Sequence, residues 1–334
     1  MNPARNETTR MAADSHIRAL RVKELARSVG FDACGITDCD AGVAYERYQR
    51  QMAAGYGADM GWLHETEEQE GLRKDVSRVH AQARSVVVVA CSYASDTPGY
   101  LEQPPRPDEG WIARYAQGKD YHVHIRKRLV RLVRAFEEDP LLGYDSRSHR
   151  VFVDTGPVLE KAFAQKAGLG WIGKNTLLLS QRLGSWQFLG VILTPLVLAP
   201  DTPGVDHCGT CRRCLDVCPT DAFVEPYVLD ARRCIATWTI ESADPVAVSD
   251  PNKIGQHVFG CDLCQEVCPW NRKVPPTDHL PLRPRPENVR PPLQTLMGLD
   301  DESFKRRFPK SAVRRTNAQK LDAIATFVAQ KPED

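Results

Sequence analysis

The sequence predicts an α+β protein of 334 residues, in which an α/β domain over residues 16–200 is followed by a cysteine-rich domain over residues 201–275. Apolar runs alternate with segments of helical periodicity as far as residue 194, whereas eight of the eleven cysteines lie after residue 207. Residues 1–15 are expected to be a disordered lead. Residues 276–334 are expected to be a proline-rich linker and a short basic helical tail.

Apolar patterns predict the elements of the α/β domain one by one. Helices are expected at residues 16–29, 41–54 and 120–136, and strands at residues 31–37, 85–91, 150–153, 176–179 and 186–194. The strand at residues 85–91 contains four consecutive valines, which is typical of a strand with both faces covered.

Asp154 is the candidate catalytic carboxylate. It follows the strand at residues 150–153, and a helix is expected to start at once with Pro157 in its first turn. Open α/β sheets place their ligand crevices at the carboxyl ends of strands, and Gly156 would let a ligand approach closely. The alternative is an aspartate that only caps a helix or forms a turn.

Charge and composition exclude few functions. The formal net charge is +1, so bulk charge gives no argument for nucleic acid, membranes or acidic ligands. The helix at residues 120–136 is nevertheless basic, and it offers either a solvated face or a phosphate-binding face. The cysteine content indicates a reducing compartment. Residues 1–15 lack the apolar core of a signal peptide and no apolar run could span a bilayer, so we expect a cytoplasmic protein with no membrane partner.

Two cysteine runs predict a pair of four-iron clusters. The first is Cys208-x2-Cys211-x2-Cys214-x3-Cys218-Pro219, the spacing of bacterial ferredoxins, and the second is Cys261-x2-Cys264-x3-Cys268-Pro269. Val258 stands where the second run should have its first cysteine, so Cys234 is the candidate eighth ligand. One cluster is assigned Cys208, Cys211, Cys214 and Cys268, and the other Cys218, Cys234, Cys261 and Cys264. Zinc sites are the alternative, but zinc does not require this repeated spacing.

Other segments carry weaker signals. Cys34 and Cys91 are expected to be buried structural thiols, while Cys39 is expected near the surface. Arg114-Tyr115-Ala116 with Asp120-Tyr121-His122 predicts a binding loop. The glycines of Gly170-Trp171-Ile172-Gly173-Lys174-Asn175 suit close approach to a flat ligand. The sequence has neither a Walker loop nor a Rossmann glycine fingerprint.

Together these motifs carry a resemblance to a known family. The chain resembles the epoxyqueuosine reductases, cobalamin-dependent iron–sulfur enzymes of the last step of queuosine biosynthesis in tRNA. The matching segments are Arg114–His122, Val153-Asp154-Thr155-Gly156-Pro157, Gly170–Asn175, Gly184-Ser185-Trp186 and the two cysteine runs with Cys234 between them.

The resemblance implies a mechanism and further site residues. An external one-electron donor of flavodoxin or ferredoxin type would reduce the clusters, which would pass electrons singly to cobalamin in an α/β domain related to that of reductive dehalogenases. Reduced cobalt would drive removal of the epoxide oxygen, and Asp154 would donate a proton, with a pKa raised by burial against the corrin. The implied cobalamin contacts are Arg73, Tyr115, Tyr121, His122, Asp154, Lys174, Leu178, Leu189 and Ala236.

Two departures from relatives shape the expectation. The tail is shorter than in relatives with helical repeats, so the anticodon arm would contact mainly the basic helix, the cluster domain and the tail. Ile125 replaces the glycine of the Asp-x-His-x-x-Gly motif, so His122 is expected in the pocket wall rather than on cobalt. The alternative functions are a cobalamin-dependent reductase of a small molecule, similar to a dehalogenase, and a ferredoxin-type electron-transfer protein.

Overall fold

The computed structural model of the chain describes residues 3–63, 67–244 and 251–330. Its α-helices are α1 (Pro3–Ser28), α2 (Val43–Ala53), α3 (Glu67–Lys74), α4 (Tyr121–Glu138), α5 (Glu160–Lys166), α6 (Arg213–Asp216), α7 (Ile235–Ile240), α8 (Leu263–Glu266), α9 (Pro286–Val289), α10 (Asp301–Arg307) and α11 (Ala318–Ala329). Its strands are β1 (Ala33–Thr37), β2 (Ser85–Ser92), β3 (Trp111–Ile112), β4 (Arg150–Phe152), β5 (Trp171–Ile172), β6 (Leu178–Leu179), β7 (Gln187–Thr194), β8 (Phe223–Glu225), β9 (Val228–Leu229) and β10 (His257–Phe259).

A four-stranded sheet in the order β1-β2-β7-β4 organises the first domain. β2 pairs with β7 over all eight of its residues, from Ser85 opposite Thr194 to Ser92 opposite Gln187. All three pairings in this sheet are antiparallel. The predicted α+β class is therefore confirmed, but the rule that places crevices at the ends of parallel strands does not explain the position of Asp154.

The run of valines in β2 is buried because helices cover both faces of the sheet. Val87, Val89 and Cys91 pack in one core with the apolar sides of α1 and α4. Val86 and Val88 point the other way and share a second core with α5. Successive strand residues alternate between faces, so a strand between two apolar layers needs no polar positions.

The second domain shares a core with the C-terminal segment. β10 pairs in parallel with β3, and Val258 in β10 is fully buried against residues of α7, α10 and α11. An apolar side chain buried in this core thus stands where the second run would have its first cysteine. The short tail is thus part of a folded core rather than an appendage.

The N-terminal lead differs from its prediction. α1 begins at Pro3, so residues 3–15 are helical rather than disordered, while residues 1–2 lie outside the described residues. No glycine or proline interrupts the sequence between Pro3 and Gly30, and proline is favoured at the first helical position. The backbone also makes a tertiary contact there, because Ala199 N–H donates to the Ser15 carbonyl at 3.2 Å.

The expected linker after residue 275 is docked on the first domain. Thr277 donates its hydroxyl to the Ser92 carbonyl at 2.7 Å and its amide to the Ala94 carbonyl at 2.9 Å. His279 is buried and bonded to Asp32 at 2.7 Å. Proline-rich composition therefore marks an ordered, extended path here. Among the described residues, no helix has the length and apolar character needed to cross a membrane.

Candidate redox and proton-transfer site

Four of the predicted cluster ligands surround one cavity. We call Cys208, Cys211, Cys214 and Cys268 the outer cysteine group, because exposed residues 209, 210, 212 and 213 flank it. The Lys174 ammonium donates to the carbonyls of Gly209 and Cys211 at 2.6 and 2.9 Å, which fixes the loop that carries this group. The indole N–H of Trp171 lies 3.5 Å from the Cys208 sulfur.

The other four cysteines form a second group. We call Cys218, Cys234, Cys261 and Cys264 the inner cysteine group, because buried residues 235, 260, 262 and 263 adjoin it. Their sulfurs lie close enough for the thiolate charges to interact, and burial raises the pKa of the Cys234, Cys261 and Cys264 thiols. Cys234 thus lies near Cys218, Cys261 and Cys264, the partners that the sequence assigns to it, and the division of the eight cysteines between two clusters stays a prediction.

The donor set suits iron–sulfur clusters. All eight cysteines are unpaired, and each group supplies the four sulfurs that a four-iron cluster needs. Of the cysteines outside the runs, Cys91 is buried and Cys34 and Cys39 are partly buried. Burial raises the pKa of Cys34 and of Cys91 to about 12, which fits inert structural thiols.

The segment from Gly170 to Asn175 positions the cysteine loops rather than a flat ligand. A Cβ at Gly170 would lie 1.8 Å from the Leu179 carbonyl oxygen, so the close approach is to the chain itself. Asn175 donates to the Cys264 carbonyl at 3.3 Å, next to the bonds that Trp171 and Lys174 make to the outer group. One short segment therefore contacts both cysteine groups.

Asp154 lies at a strained turn after β4. Its φ angle is 61°, and Thr155 N–H donates to the Val153 carbonyl at 2.7 Å across it, which makes a γ-turn. Holding a non-glycine residue in this region costs about 1 to 3 kcal/mol. α5 starts at Glu160 rather than at Pro157, and the Asp154 N–H donates to Glu160 Oε1 at 2.8 Å. Asp154 is therefore not the N-cap of that helix.

Two titratable residues, His122 and Glu160, lie beside Asp154. Its carboxylate lies 3.4 Å from Nε2 of His122, whose Nδ1 is 2.8 Å from Asp120. Although burial opposes its protonation, these two carboxylates raise the pKa of His122 to about 9. The hydrogen bond from His122 in turn lowers the pKa of Asp154, contrary to the raised pKa expected from the sequence. Burial and the Asp154 charge raise the pKa of Glu160 to about 8. At neutral pH His122 and Glu160 therefore carry protons beside an ionised Asp154.

Aromatic rings and an arginine complete the cleft. Tyr121 stacks between His122, at 4.1 Å between ring centroids, and Phe188, at 4.0 Å. Tyr115 packs against the cores of both domains. Arg315 is paired with Glu241 at 2.9 Å, and its charge helps to lower the pKa of Asp154. Sequence reasoning missed Arg315 and Glu160, since neither stands within a motif used for the prediction.

The other predicted cobalamin contacts are more scattered. Arg73 is buried and donates to the Trp62 carbonyl at 3.1 Å, and Lys174 bonds to the outer cysteine loop. Leu178 is buried and Leu189 partly buried in the core shared with α5, while Ala236 follows Cys234 by two residues. Tyr115, Tyr121, His122 and Asp154 are the predicted contacts that lie next to one another.

The basic helix α4 has two kinds of cation. Arg128 points inward, where it donates to the Gly30 carbonyl and to Nδ1 of His279, which leaves Nε2 of His279 to donate to Asp32. Arg126, Lys127, Arg131 and Arg134 are exposed. Arg128 therefore has a structural role, whereas the exposed cations remain available to phosphates.

Two family models match the chain. Residues 207–271 match a 4Fe-4S double cluster binding domain, and residues 73–155 match the family described as epoxyqueuosine reductase QueG, DUF1730. The chain is 43% identical to the epoxyqueuosine reductase of Gloeobacter violaceus, over 91% of this chain and 93% of that protein. It is 36% identical to the epoxyqueuosine reductase of Shewanella oneidensis, over 94% of this chain and 80% of that protein.

Solved structures show the same architecture. An epoxyqueuosine reductase crystallised with an epoxyqueuosine-modified tRNA stem loop has a TM-score of 0.80 and 29% identity, covering 92% of this chain and 80% of that chain. The Bacillus subtilis enzyme, in a structure with its catalytic aspartate loop swung out of the active site, has a TM-score of 0.78 and 28% identity over the same shares.

Proposed function

The chain belongs to the epoxyqueuosine reductase family, and on that premise we propose that it reduces epoxyqueuosine to queuosine in the anticodon loop of tRNA. The observation that carries the proposal is the link between the inner cysteine group and the Asp154 cleft. A Cβ at Gly260, next to Cys261, would lie 3.6 Å from the Tyr115 ring, and burial together with the Asp154 charge raises the pKa of Tyr115. Tyr115 therefore lies near both the Cys261 loop and Asp154, which supports a proposal in which electrons and a proton reach the same substrate.

The eight cysteines are proposed to hold two four-iron clusters, in the outer and inner groups defined above. The outer group, beside exposed residues, would receive electrons from an external one-electron donor of flavodoxin or ferredoxin type. The inner group would pass them on toward Tyr115. Two neighbouring clusters suit this task because each accepts and releases one electron at a time.

Cobalamin is proposed to occupy the cleft between Asp154 and the inner cysteine group. The residues fit a large, partly apolar ligand, because Tyr121 and Phe188 form a stacked aromatic wall and the side chain of Asp154 is 62% exposed. When bound, the corrinoid would supply a strongly reducing cobalt that accepts single electrons and delivers a pair. The proposed contacts are Arg73, Tyr115, Tyr121, His122, Asp154, Lys174, Leu178, Leu189 and Ala236, of which Tyr115, Tyr121, His122 and Asp154 lie together.

Asp154 is proposed to deliver the proton that the departing epoxide oxygen needs. An oxygen leaving as hydroxide is a poor leaving group at neutral pH, so a positioned acid lowers the barrier. Asp154 is itself ionised in the free protein, and His122 holds a proton 3.4 Å away. The proton therefore starts on His122 and reaches the substrate through the Asp154 carboxyl.

The tRNA is proposed to contact the exposed cations of α4 and the arginines near the C-terminus. Arg126→Glu with Arg131→Glu should weaken tRNA binding and reduce the slope of log affinity against log salt by about 1.5 to 2, because each phosphate contact releases counterions. Arg147→Glu, at an exposed arginine outside α4, is the matched control. An unchanged slope in the double variant would show that the exposed cations of α4 face solvent and do not contact the tRNA phosphates.

The direct test is turnover. Anaerobically purified protein, supplied with cobalamin and a chemical reductant, is incubated with tRNA that carries epoxyqueuosine, and the nucleosides are analysed by mass spectrometry. Queuosine formation supports the proposal. A protein that carries its iron–sulfur clusters but shows no bound corrinoid in its visible spectrum would instead be an electron-transfer protein. A corrinoid-loaded protein that leaves the tRNA unchanged but reduces a small halogenated substrate would be a dehalogenase-like reductase.

A further inference from the structure

The loop between β4 and α5 holds Asp154 in an unfavourable backbone conformation. Residues 153–158 form bends rather than a regular element, and Asp154 has a positive φ of 61° without being glycine. Such a conformation persists only where surrounding contacts determine it. The loop also folds closely onto its own strand, since a Cβ at Gly156 would lie 2.2 Å from the Phe152 ring.

The contact that closes this loop comes from the first residue of α5. Glu160 Oε1 accepts the Asp154 N–H at 2.8 Å, six residues back along the chain. α5 is a firm support, because Phe163 and Ala164 are fully buried against the sheet. The N-cap of α5, Leu159, makes no side-chain capping bond, so the Glu160 carboxyl joins the helix start to the loop.

We propose that Glu160 is a positioning residue that latches the Asp154 loop, keeping the Asp154 carboxylate beside His122. This inference rests on the proposed role of Asp154. The latch needs an acceptor oxygen of the right reach, and a carboxyl provides one whether ionised or protonated. The charged groups that face Glu160 are Asp154, His122 and Lys161, and the Lys161 ammonium is directed to the Thr176 carbonyl at 2.9 Å.

The first experiment separates reach from charge. Glu160→Gln keeps an acceptor oxygen at the same distance and removes the ability to ionise, whereas Glu160→Asp keeps a carboxyl group and withdraws the oxygen by one methylene. Amide hydrogen exchange of the peptide containing residues 154 and 155 should stay near the wild-type rate in Glu160→Gln. It should become about tenfold faster in Glu160→Asp and Glu160→Ala, as expected for one lost hydrogen bond.

Lys166→Ala is the matched control on the same helix. It removes the ion pair with Asp38 at 2.6 Å and leaves the latch intact, so exchange at residues 154 and 155 should not change. Exchange is measured on the folded protein without substrate. A failure of the latch is therefore distinguishable from a failure of the proposed reaction.

The second experiment is a double-mutant cycle on single-turnover rate. If Glu160 acts through Asp154, the reaction is slow in Glu160→Asp and close to the wild-type rate in Glu160→Gln. In a background of Asp154→Asn, Glu160→Asp should cause no further loss of rate. The proposal is overturned if Glu160→Gln is the slow variant and Glu160→Asp the active one, because that pattern marks Glu160 as an acid in its own right. Unchanged exchange in both Glu160→Asp and Glu160→Ala would also overturn it.

Discussion

The cysteine groups and the Asp154 cleft differ in how the chain assembles them. The eight cysteines fall within 61 residues, from Cys208 to Cys268, and burial raises the pKa of most of their thiols. The cleft instead gathers His122, Asp154, Glu160 and Arg315 from separate segments, with pKa values of about 9 for His122 and about 8 for Glu160.

This difference separates the handling of electrons from the handling of protons. Thiols lose their protons when they bind metal, so a cysteine group that holds a cluster has no thiol protons to exchange with the cleft. In the cleft, His122, whose pKa is raised to about 9, is the group that we propose to supply the proton during turnover. Changes in one region should therefore leave the content of the other intact, and four experiments test that independence.

Cys234→Ala should have the largest effect. It removes one of the four sulfurs of the inner group, so iron should fall from about eight to about four atoms per chain and turnover should be lost. The control is Cys34→Ala, which changes a thiol outside both groups. Iron content is measured on anaerobically purified protein. Eight irons retained in Cys234→Ala would remove Cys234 from the ligand set.

Asp154→Asn should spare both clusters and still stop most of the chemistry. The amide keeps the shape of the side chain but carries no acidic proton, so turnover should fall by about 10²- to 10⁴-fold. Single-turnover assays with chemically reduced protein separate this loss from slow electron delivery. Wild-type turnover in a fully loaded variant would leave Asp154 as a turn residue only.

The pH dependence of the reaction should report His122. Its pKa is raised to about 9, so the imidazolium is present below that pH and is lost above it. The single-turnover rate should therefore fall about tenfold for each pH unit above pH 9, and His122→Gln should be slow and lack this limb. His124→Gln is the control on the same helix, because burial lowers the pKa of His124 to about 4. A limb that persists in His122→Gln would assign the proton to another group.

Trp171→Phe should have the smallest effect. The indole N–H points at the Cys208 sulfur, and hydrogen bonds to cluster sulfurs raise the reduction potential. Redox titration followed by electron paramagnetic resonance should show a lower potential for the outer cluster alone, with turnover reduced by at most about tenfold. Trp270→Phe, which changes the neighbouring ring, is the control. A shift confined to the inner cluster would reverse the proposed order of the two groups.

The sequence predicted the cysteine groups better than the cleft for a physical reason. Cluster ligands require fixed spacing along the chain, so the runs and the need for Cys234 are visible without a structure. The surroundings of Asp154 depend on tertiary contacts instead. Glu160 and Arg315 reach it from a helix start and a C-terminal turn, and the effect of His122 on the pKa of Asp154 depends on their separation of 3.4 Å.

The same reasoning explains the errors in the fold. Four consecutive valines predicted a strand covered on both faces, because that pattern is local. Composition suggested a disordered lead and a free linker, yet Pro3–Ser28 forms one helix and residues 277–279 bond to the first domain. Pro157 lies within the bends of residues 153–158 rather than in the first turn of α5, which starts at Glu160.

The core shared by the C-terminal segment and the second domain limits how this protein can be divided. Phe304, Phe308 and Leu321 are buried in the same cluster as Trp238 and Val258, which adjoin the inner cysteine group in sequence. A ferredoxin-like unit cut out at residues 201–275 would expose these apolar side chains to water. The cluster domain is thus not an independent folding unit. Transferring its cysteine groups to another protein would require the C-terminal helices to be transferred as well.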